Sequence, residues 1–233
     1  MITGLKSIKE GFSEVIFPHV CLICGSKLSK SEQFICPECV RDRFELANME
    51  GKQVSSDTFL PEGIILQHAL WNFDKGAFLQ DLLHSLKYHR LTGLGIDLGI
   101  TLGNNVKKNP FFKPNEDSIL IPVPLHLKKK RTRGYNQARF IAKGVQIATK
   151  ITLCSSKDVI RVKNTSTQTG FSLDMRRENI KGAFEVRNEI QIRDKECIIV
   201  DDVFTTGATA FELADTLINS GASKVLIITV AQA

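Results

Sequence analysis

Residues 200–209, with the sequence VDDVFTTGAT, restrict the possible folds more than any other part of the chain. The apolar run that leads into them, residues 197–200, has the length and composition of a buried strand. Residues 208–220 carry apolar side chains at helical spacing and end at Gly221, a typical helix stop. A strand joined to a helix through a short loop is the building unit of α/β domains, so the segment predicts such a domain.

The same alternation of strands and helices continues through residues 65–233. Apolar positions recur at helical spacing in some segments, while others are short β-branched runs. Helices are predicted at residues 75–89, 95–107, 134–148 and 208–220, and strands at 118–123, 159–162, 182–186, 197–200 and 224–230. We therefore expect an α/β fold with a largely parallel sheet flanked by helices.

The loop after residue 200 has the side chains that a sugar phosphate needs. Gly207 permits a positive φ and allows backbone N–H groups to approach an anion. The helix that follows presents its positive N-terminus to the same anion. Asp201 and Asp202 can accept hydrogen bonds from a vicinal diol. Hydroxyl donors come from three threonines: Thr205, Thr206 and Thr209.

Four cysteines near the N-terminus form two Cys-x2-Cys pairs: Cys21, Cys24, Cys36 and Cys39. Two such pairs on tight turns can close a tetrahedral zinc site with Zn–S distances of ~2.3 Å. Disulfides and a redox Cys-x2-Cys pair are the alternatives, and both fit less well. Since four thiolates fill a tetrahedral zinc ion, the role expected for the metal is structural. The predicted organisation is a zinc ribbon at 15–45, a linker or loop at 46–64 and the α/β domain at 65–233.

The positive charge of the chain is local. The net charge is +6, but residues 120–181 alone contain fourteen Lys or Arg and three Asp or Glu, a charge of +11. This distribution indicates an anionic partner, with a solvated basic face as the alternative. No apolar run has the ~18–20 residues of a membrane span, and residues 1–17 lack the apolar region of a signal peptide. We therefore expect a cytoplasmic protein with no membrane span.

The basic run at residues 128–133 is a candidate contact for phosphate or nucleic acid. Arg131 and Arg133 have the planar guanidinium that binds phosphate in a bidentate manner. Tyr135 follows at once, and an aromatic ring beside cations can stack on a base. Packing at the start of a helix is an equally good interpretation of Tyr135, and a solvated loop is the alternative for the lysines.

Several motifs together resemble a known family. The segment VDDVFTTGAT resembles the phosphoribosyl pyrophosphate motif of type I phosphoribosyltransferases. The segments PVPLH at 122–126 and RTRGYNQ at 131–137, together with Gln168, Arg177, Asn179 and the stretch GAF at 182–184, look like the signature of the ComF family. The N-terminal four-cysteine ribbon is also typical of that family. The resemblance covers residues 15–231 and excludes 45–64.

The resemblance implies a type I phosphoribosyltransferase fold and a role for each matching residue. Asp201 and Asp202 would hold the ribose hydroxyls and act as the catalytic acid pair. The loop at Leu125 and His126 would bind pyrophosphate, although a surface histidine is an equally good interpretation of His126. Residues 161–181 would form a mobile hood that carries Arg176 and Arg177 to the ligand, with a disordered linker as the alternative. The 5′-phosphate would bind Thr205, Thr206, Gly207, Ala208 and Thr209.

Two functions follow from the resemblance. The first is transfer of a phosphoribosyl group from phosphoribosyl pyrophosphate, with Mg²⁺, to an acceptor that the sequence does not identify. The second is a non-catalytic module that responds to phosphoribosyl pyrophosphate and binds single-stranded DNA. Because the ComF family is tied to natural competence, competence DNA-uptake proteins are the expected partners in either case.

Overall fold

The computed structural model of the chain describes residues 20–29, 34–47, 60–73, 78–165 and 173–233. The chain divides into two compact units, residues 1–44 and 45–233. In the first unit, an isolated antiparallel bridge joins Val20 to Lys27, and helix α1 spans Pro37–Arg43. Cys36 caps α1, because its side chain accepts a hydrogen bond from the N–H of Cys39.

The second unit is built on a five-stranded parallel sheet. Its central strands are continuous apolar runs, as expected for a sheet that is covered on both faces. Ile198, Leu226 and Leu120, for example, are fully buried. The five strands are β1 (Ile64–Asn72), β2 (Ser118–Pro122), β3 (Thr152–Leu153), β6 (Glu196–Phe204) and β7 (Lys224–Gln232). Their order in the sheet is β1-β7-β6-β2-β3.

Helices cover this sheet. The helix that contains Gly99 and the helix that contains Gly144 approach each other closely. A Cβ atom at either glycine would collide with the backbone of the other helix. The helices of the second unit are α2 (Phe78–Tyr88), α3 (Thr92–Val106), α4 (Leu127–Arg133), α5 (Gln137–Thr149), α6 (Leu173–Ile180) and α7 (Ala208–Asn219), with a 3-10 turn at Glu189–Gln191. Strands β4 (Val159–Arg161) and β5 (Phe184–Val186) form a separate antiparallel pair.

The α/β fold with a parallel sheet flanked by helices is confirmed, with local differences from the sequence prediction. Strand β6 continues to Phe204 instead of ending at residue 200, because Asp201 and Val203 stay paired with β7. Residues 46 and 47 belong to the linker in the prediction. In the structure Leu46 forms a bridge with Trp71 of β1, and the N–H of Ala47 donates to the carbonyl of Leu70.

The basic run folds as α4 instead of a loop. His126 caps its N-terminus, where Nδ1 accepts a hydrogen bond from the N–H of Lys128 at 3.3 Å. Gly134 closes the C-terminus with a φ of +86°, a left-handed conformation that glycine adopts readily. Basic residues in the last turn also complement the negative end of the helix dipole. Helix α5 then starts at Gln137, capped by Asn136, three residues later than predicted.

Candidate functional site

An acidic pair lies in the carboxyl-terminal part of β6. Asp202 is buried, with 5% of its surface exposed, and Asp201 is half-buried. The N–H of Asp202 donates to Oδ1 of Asp201 at 2.9 Å. Lys87, near the end of α2, places its Nζ 2.5 Å from Oδ2 of Asp202. One lysine therefore faces two adjacent carboxylates.

The two carboxylates differ in their electrostatics. Burial and the negative charge of Asp202 raise the pKa of Asp201 well above its ordinary value. Burial also acts to raise the pKa of Asp202, but the ammonium of Lys87 and hydrogen bonds from Lys87 and Asp201 outweigh it, so this pKa is lowered. The charge of Asp202 is the largest cause of the raised pKa of Lys87. Asp202 is therefore ionised and paired with Lys87, while the neighbouring Asp201 takes up a proton more readily than an ordinary aspartate.

The loop between β6 and α7 forms a recess of about 50 Å³, here called the threonine recess, with Asp201 and residues 203–210 in its wall. Gly207 has a φ of +75° and is the N-cap of α7. A Cβ atom there would lie 2.6 Å from Cζ of Phe211 and 2.8 Å from Cζ of Phe204, so glycine is required on both counts. The hydroxyl oxygen of Thr206 is buried and has no hydrogen-bond partner among the described residues. Free N–H groups at a helix N-terminus and an unpaired hydroxyl suit a small oxyanion.

A larger pocket of about 680 Å³ adjoins this recess and is here called the cationic pocket. Thr209 lines both cavities. None of the described residues that line the pocket is acidic, and five are cationic: Lys87, Lys128, Lys129, Arg133 and Arg161. Burial and then the charges of Arg161 and Arg133 lower the pKa of Lys129. Burial likewise lowers the pKa of Arg161, whose Nε is buried and has no hydrogen-bond partner in the described part of the chain. Cations held together in this way favour an anionic ligand.

The four cysteines of the first unit form a cluster. The sulfur atoms of Cys21, Cys24, Cys36 and Cys39 all lie within 4.8 Å of one another. The sulfurs of Cys24 and Cys36 are 3.8 Å apart, close to the ~3.8 Å edge of a regular tetrahedron of thiolates around zinc. Backbone N–H groups point at the sulfurs, as when the N–H groups of Ile23 and Cys36 each donate to Cys21 Sγ at 3.4 Å. The cluster can hold a tetrahedral metal ion such as zinc.

The chain is similar to several known proteins. A purine phosphoribosyltransferase from Pyrococcus horikoshii Ot3 overlaps with 60% of this chain and 83% of its own at 17% identity, but the TM-score of 0.33 is too low to bear on the fold. The family described as a phosphoribosyl transferase domain matches residues 132–233. The chain is 31% identical over 223 residues to the DNA utilization protein YhgH of Salmonella typhi, covering 90% of this chain and 95% of that protein. It is 36% identical over 221 residues to Competence protein F of Haemophilus influenzae, covering 93% and 86%. The chain belongs to the ComF family.

A more distant member of the ComF family, Competence protein ComFC of Bacillus subtilis, is 24% identical over 204 residues, which are 87% of this chain and 79% of that protein. The resemblance based on motifs is therefore confirmed, and the second unit contains a phosphoribosyl transferase domain. Among the described residues, no helix is long and apolar enough to cross a bilayer.

The predicted site residues of this ComF-family chain separate into groups. Thr205, Thr206, Gly207, Ala208 and Thr209 all line the threonine recess, together with Asp201. Leu125 and Arg133 line the cationic pocket. His126 is half-buried at the N-cap of α4, and Arg131 is exposed on α4; neither lines the cationic pocket.

Tyr135 differs from the prediction of a base-stacking ring. It is buried with 8% of its surface exposed, and its hydroxyl donates to the carbonyl oxygen of Leu86. Tyr135 is therefore a packing residue at the start of a helix, because this hydrogen bond connects the start of α5 to α2. Arg176 and Arg177 lie in α6, but their side chains are outside the described part of the structure, as is Gln168.

Two residues at this ComF-family site do not stand out in the sequence as ligand contacts: Lys87 and Arg161. Lys87 lies in a predicted amphipathic helix, where a lysine beside Leu86 has the pattern of an ordinary boundary residue. Only the tertiary contact between α2 and β6 distinguishes it. Lys129 belongs to the basic run that the sequence offers as a phosphate or nucleic-acid contact, with a solvated loop as the alternative. Arg161 is the last residue of β4, at the edge of the predicted hood. A weak signal was available for Arg161, a cation that ends a strand and is followed by a polar segment.

Proposed function

We propose that this ComF-family protein binds 5-phosphoribosyl 1-pyrophosphate together with Mg²⁺ and transfers its phosphoribosyl group to an acceptor. The observation that carries the proposal is the continuity of two cavities around one acid pair. Thr209 lines both the threonine recess and the cationic pocket. Asp201 faces the recess, while Lys87, the partner of Asp202, faces the pocket. A ligand with a phosphate at one end, a diol in the middle and a diphosphate at the other end suits this order.

Each part of the ligand has a complementary group on the protein. The 5′-phosphate would occupy the threonine recess at the N-terminus of α7, where Thr206 has a free hydroxyl. Asp201 and Asp202 would accept hydrogen bonds from the ribose hydroxyls. The pyrophosphate would lie in the cationic pocket, against the backbone at Leu125 and the guanidinium of Arg133, which binds a planar pair of oxygens well.

Mg²⁺ is a suitable companion of such a ligand, because it is usually held by one or two carboxylates together with substrate phosphates. Asp201 offers a carboxylate whose pKa is raised by burial and by Asp202, a condition that a nearby cation relieves. Asp201 and the phosphate oxygens of the ligand would therefore hold the ion. Bound there, Mg²⁺ would supply charge neutralisation for the departing pyrophosphate.

The residues of the chain would assist the transfer mainly through charge. The bond between ribose C1 and a pyrophosphate oxygen breaks, and its electron pair leaves with the pyrophosphate. A bond forms between C1 and the acceptor, whose nucleophilic atom gives up a proton. The carboxylate of Asp202 would stabilise positive charge on the ribose, while Arg133 and Arg161 would stabilise the leaving group.

A role in natural competence is part of the proposal. It is supported by the names of two relatives, Competence protein F of Haemophilus influenzae and Competence protein ComFC of Bacillus subtilis. The relative from Salmonella typhi is named a DNA utilization protein. We infer that this chain acts in the cytoplasm on incoming DNA, with DNA-uptake proteins as its partners.

A second candidate function is a non-catalytic module that binds single-stranded DNA and responds to phosphoribosyl pyrophosphate. Helix α4 supports it, because five of its seven residues are basic, and Lys128, Lys130 and Arg131 are exposed. Exposed cations of this kind attract the phosphates of a strand, with an affinity that falls steeply as salt rises. Release of pyrophosphate on mixing with bases or nucleotides favours the enzyme, whereas salt-dependent strand binding without such release favours the module.

The cysteine cluster has a proposed role of its own as a structural zinc site. The described core cluster around the cysteines of the first unit contains Leu28 and three of the cysteines, with Ile23 and Ile35 packed against it. So small a core gives little stability, and four thiolates around zinc would provide most of it.

The test of the ligand site is calorimetry with phosphoribosyl pyrophosphate and Mg²⁺. Wild type is expected to bind, and the double change Asp201→Asn with Asp202→Asn is expected to abolish binding. Asp215→Asn, an exposed acid on α7 away from the site, is the matched control and should bind as wild type does. Binding that survives the double change would show that the acid pair is not the ligand site.

A further inference from the structure

Tyr88 is an aromatic residue that the proposed chemistry does not use. It is the last residue of α2, directly after Lys87, and 61% of its surface is exposed. It also lines the cationic pocket. The second tyrosine of the chain, Tyr135, is buried with its hydroxyl paired, so the two rings have different environments.

Two groups flank the ring of Tyr88. The guanidinium carbon of Arg133 lies 5.6 Å from the ring centroid, within the range of a cation–π contact. Arg133 is itself fixed, because its Nη1 donates to Oε1 of Gln137 at 2.5 Å. The imidazole of His84 lies one helical turn earlier, with its centroid 4.5 Å from that of Tyr88 at an interplanar angle of 40°. The ring is therefore held in position and still retains most of its surface for a ligand.

This combination matches the chemistry of a nucleotide. Bases stack on aromatic rings and guanidinium planes, while the attached phosphates pair with nearby cations. Here the aromatic ring and the cations Arg133 and Lys129 line one pocket, which has no acidic residue among the described residues that form it. A plain apolar ligand would gain nothing from the cations, and a bare phosphate would gain nothing from the ring.

We propose that Tyr88, flanked by His84 and Arg133, is a stacking platform for a nucleobase at the cationic pocket. The inference rests on the proposed function, since it makes the acceptor or regulatory partner of that site a molecule that contains a nucleobase. The base can come from a free nucleotide or from a single DNA strand. Both sources share the same ring and phosphate chemistry, and the experiment separates them.

The test compares three substitutions for binding at low salt. Tyr88→Ser removes the ring, Tyr88→Phe keeps it, and Phe111→Ser removes a partly exposed ring that lies outside the pocket. The probes are a short oligothymidylate, an abasic strand with the same number of phosphates, and thymidine monophosphate. We expect Tyr88→Ser to weaken oligothymidylate binding by about tenfold, the effect of losing one stacked base. Tyr88→Phe and Phe111→Ser should stay within about twofold of wild type, and the abasic strand should bind all variants equally.

The outcomes are separable. A Tyr88-dependent affinity for thymidine monophosphate identifies a mononucleotide as the source, and dependence on the strand alone identifies single-stranded DNA. Equal binding of oligothymidylate by wild type and Tyr88→Ser overturns the inference, as does an equal loss on the abasic strand. In the same experiment, wild type and Phe111→Ser should bind phosphoribosyl pyrophosphate with Mg²⁺ equally, because Phe111 lies outside the pocket. If wild type fails to bind that ligand while the Tyr88 effect persists, the proposed function fails and the stacking platform stands.

Discussion

Lys87 Nζ lies 2.5 Å from Oδ2 of Asp202, and this ion pair connects the end of α2 to the acid pair of β6. The residues on either side of Lys87 are tied to the same region. The carbonyl of Leu86 accepts the hydroxyl of Tyr135, and the ring of Tyr88 contacts Arg133. Three consecutive residues thus connect α2 to Asp202 of β6, to Tyr135 before α5 and to Arg133 of α4.

The two carboxylates of the acid pair should have opposite effects on the free energy of unfolding. Since the pKa of Asp201 is raised on folding, stability falls as the pH rises from about 4, the ordinary value for aspartate, through that raised pKa. We expect Asp201→Asn to remove this penalty. The variant should be more stable than wild type at pH 7, and the difference should vanish at pH values below about 4.

Asp202→Asn should act in the other direction. The pKa of Asp202 is lowered, so its contribution to stability is present at neutral pH and is lost as the pH falls through the lowered value. The variant leaves Lys87 without its partner and should lose about 1–3 kcal/mol of unfolding free energy at pH 7. Urea denaturation of wild type and both variants at the same pH values measures this. Equal stability changes in Asp201→Asn and Asp202→Asn would contradict the assignment of Lys87 to Asp202.

Lys87→Met tests the same ion pair by removing its cation. The buried carboxylate of Asp202 then has no cation beside it, so stability at pH 7 should fall by about 1–3 kcal/mol. Affinity for phosphoribosyl pyrophosphate should drop by about tenfold or more, because the cationic pocket loses a charge next to the ribose site. Lys87→Arg should retain much of both properties, and Lys108→Met, at an exposed lysine outside the pocket, is the control.

A double-mutant cycle completes that test. If Lys87 and Asp202 are coupled, combining Lys87→Met with Asp202→Asn should cost less stability than the sum of the two single changes. Additive losses would mean that each residue contributes through other contacts.

The sequence predicts the structure best where a local pattern determines it. Residues 197–220 follow the period of a strand and then of a helix, so β6, the threonine recess and α7 were predicted together. Strand β1 was missed because its sequence contains Gln67 and His68 within a run buried on both sides. The imidazole of His68 is buried and hydrogen-bonded to Asn105 Oδ1 at 2.9 Å, a partner on another element that no local pattern reveals.

The sequence predicts the acidic residues of the site better than it predicts which basic residues reach the site. Residues 128–133 show no apolar periodicity, so the sequence does not indicate that they form a helix or which side chains face inward. The turn of α4 brings Lys128, Lys129 and Arg133 to the cationic pocket and leaves Arg131 outside it. Arg133 and Arg131 were equivalent candidates in the sequence, and helix geometry alone separates them.

The cysteine cluster predicts a metal content that can be measured directly. We expect close to one zinc per chain in the purified protein, because the four sulfurs lie within 4.8 Å of one another, close enough to bind one ion together. Cys39→Ser should lower the zinc content severely and unfold the first unit. Cys154→Ser is the matched control, a buried cysteine of the second unit outside the cluster, and should keep the metal. Elemental analysis without zinc in wild type would refute the structural metal site.

Gly207→Ala should impair the proposed phosphate site, and Gly221→Ala is its control. Both Gly207 and Gly221 have a positive φ, of +75° and +93°, so alanine at either position costs about 1–2 kcal/mol of backbone strain. Only at Gly207 does the new Cβ also collide with two rings, those of Phe211 and Phe204. We therefore expect the larger loss of stability for Gly207→Ala, together with a loss of phosphoribosyl pyrophosphate binding of at least about tenfold.

Gly221→Ala lies beyond α7 and should bind the ligand normally despite its strain. Ligand affinity that falls equally in both variants would indicate a general loss of folding, and normal binding by Gly207→Ala would remove the 5′-phosphate from the threonine recess.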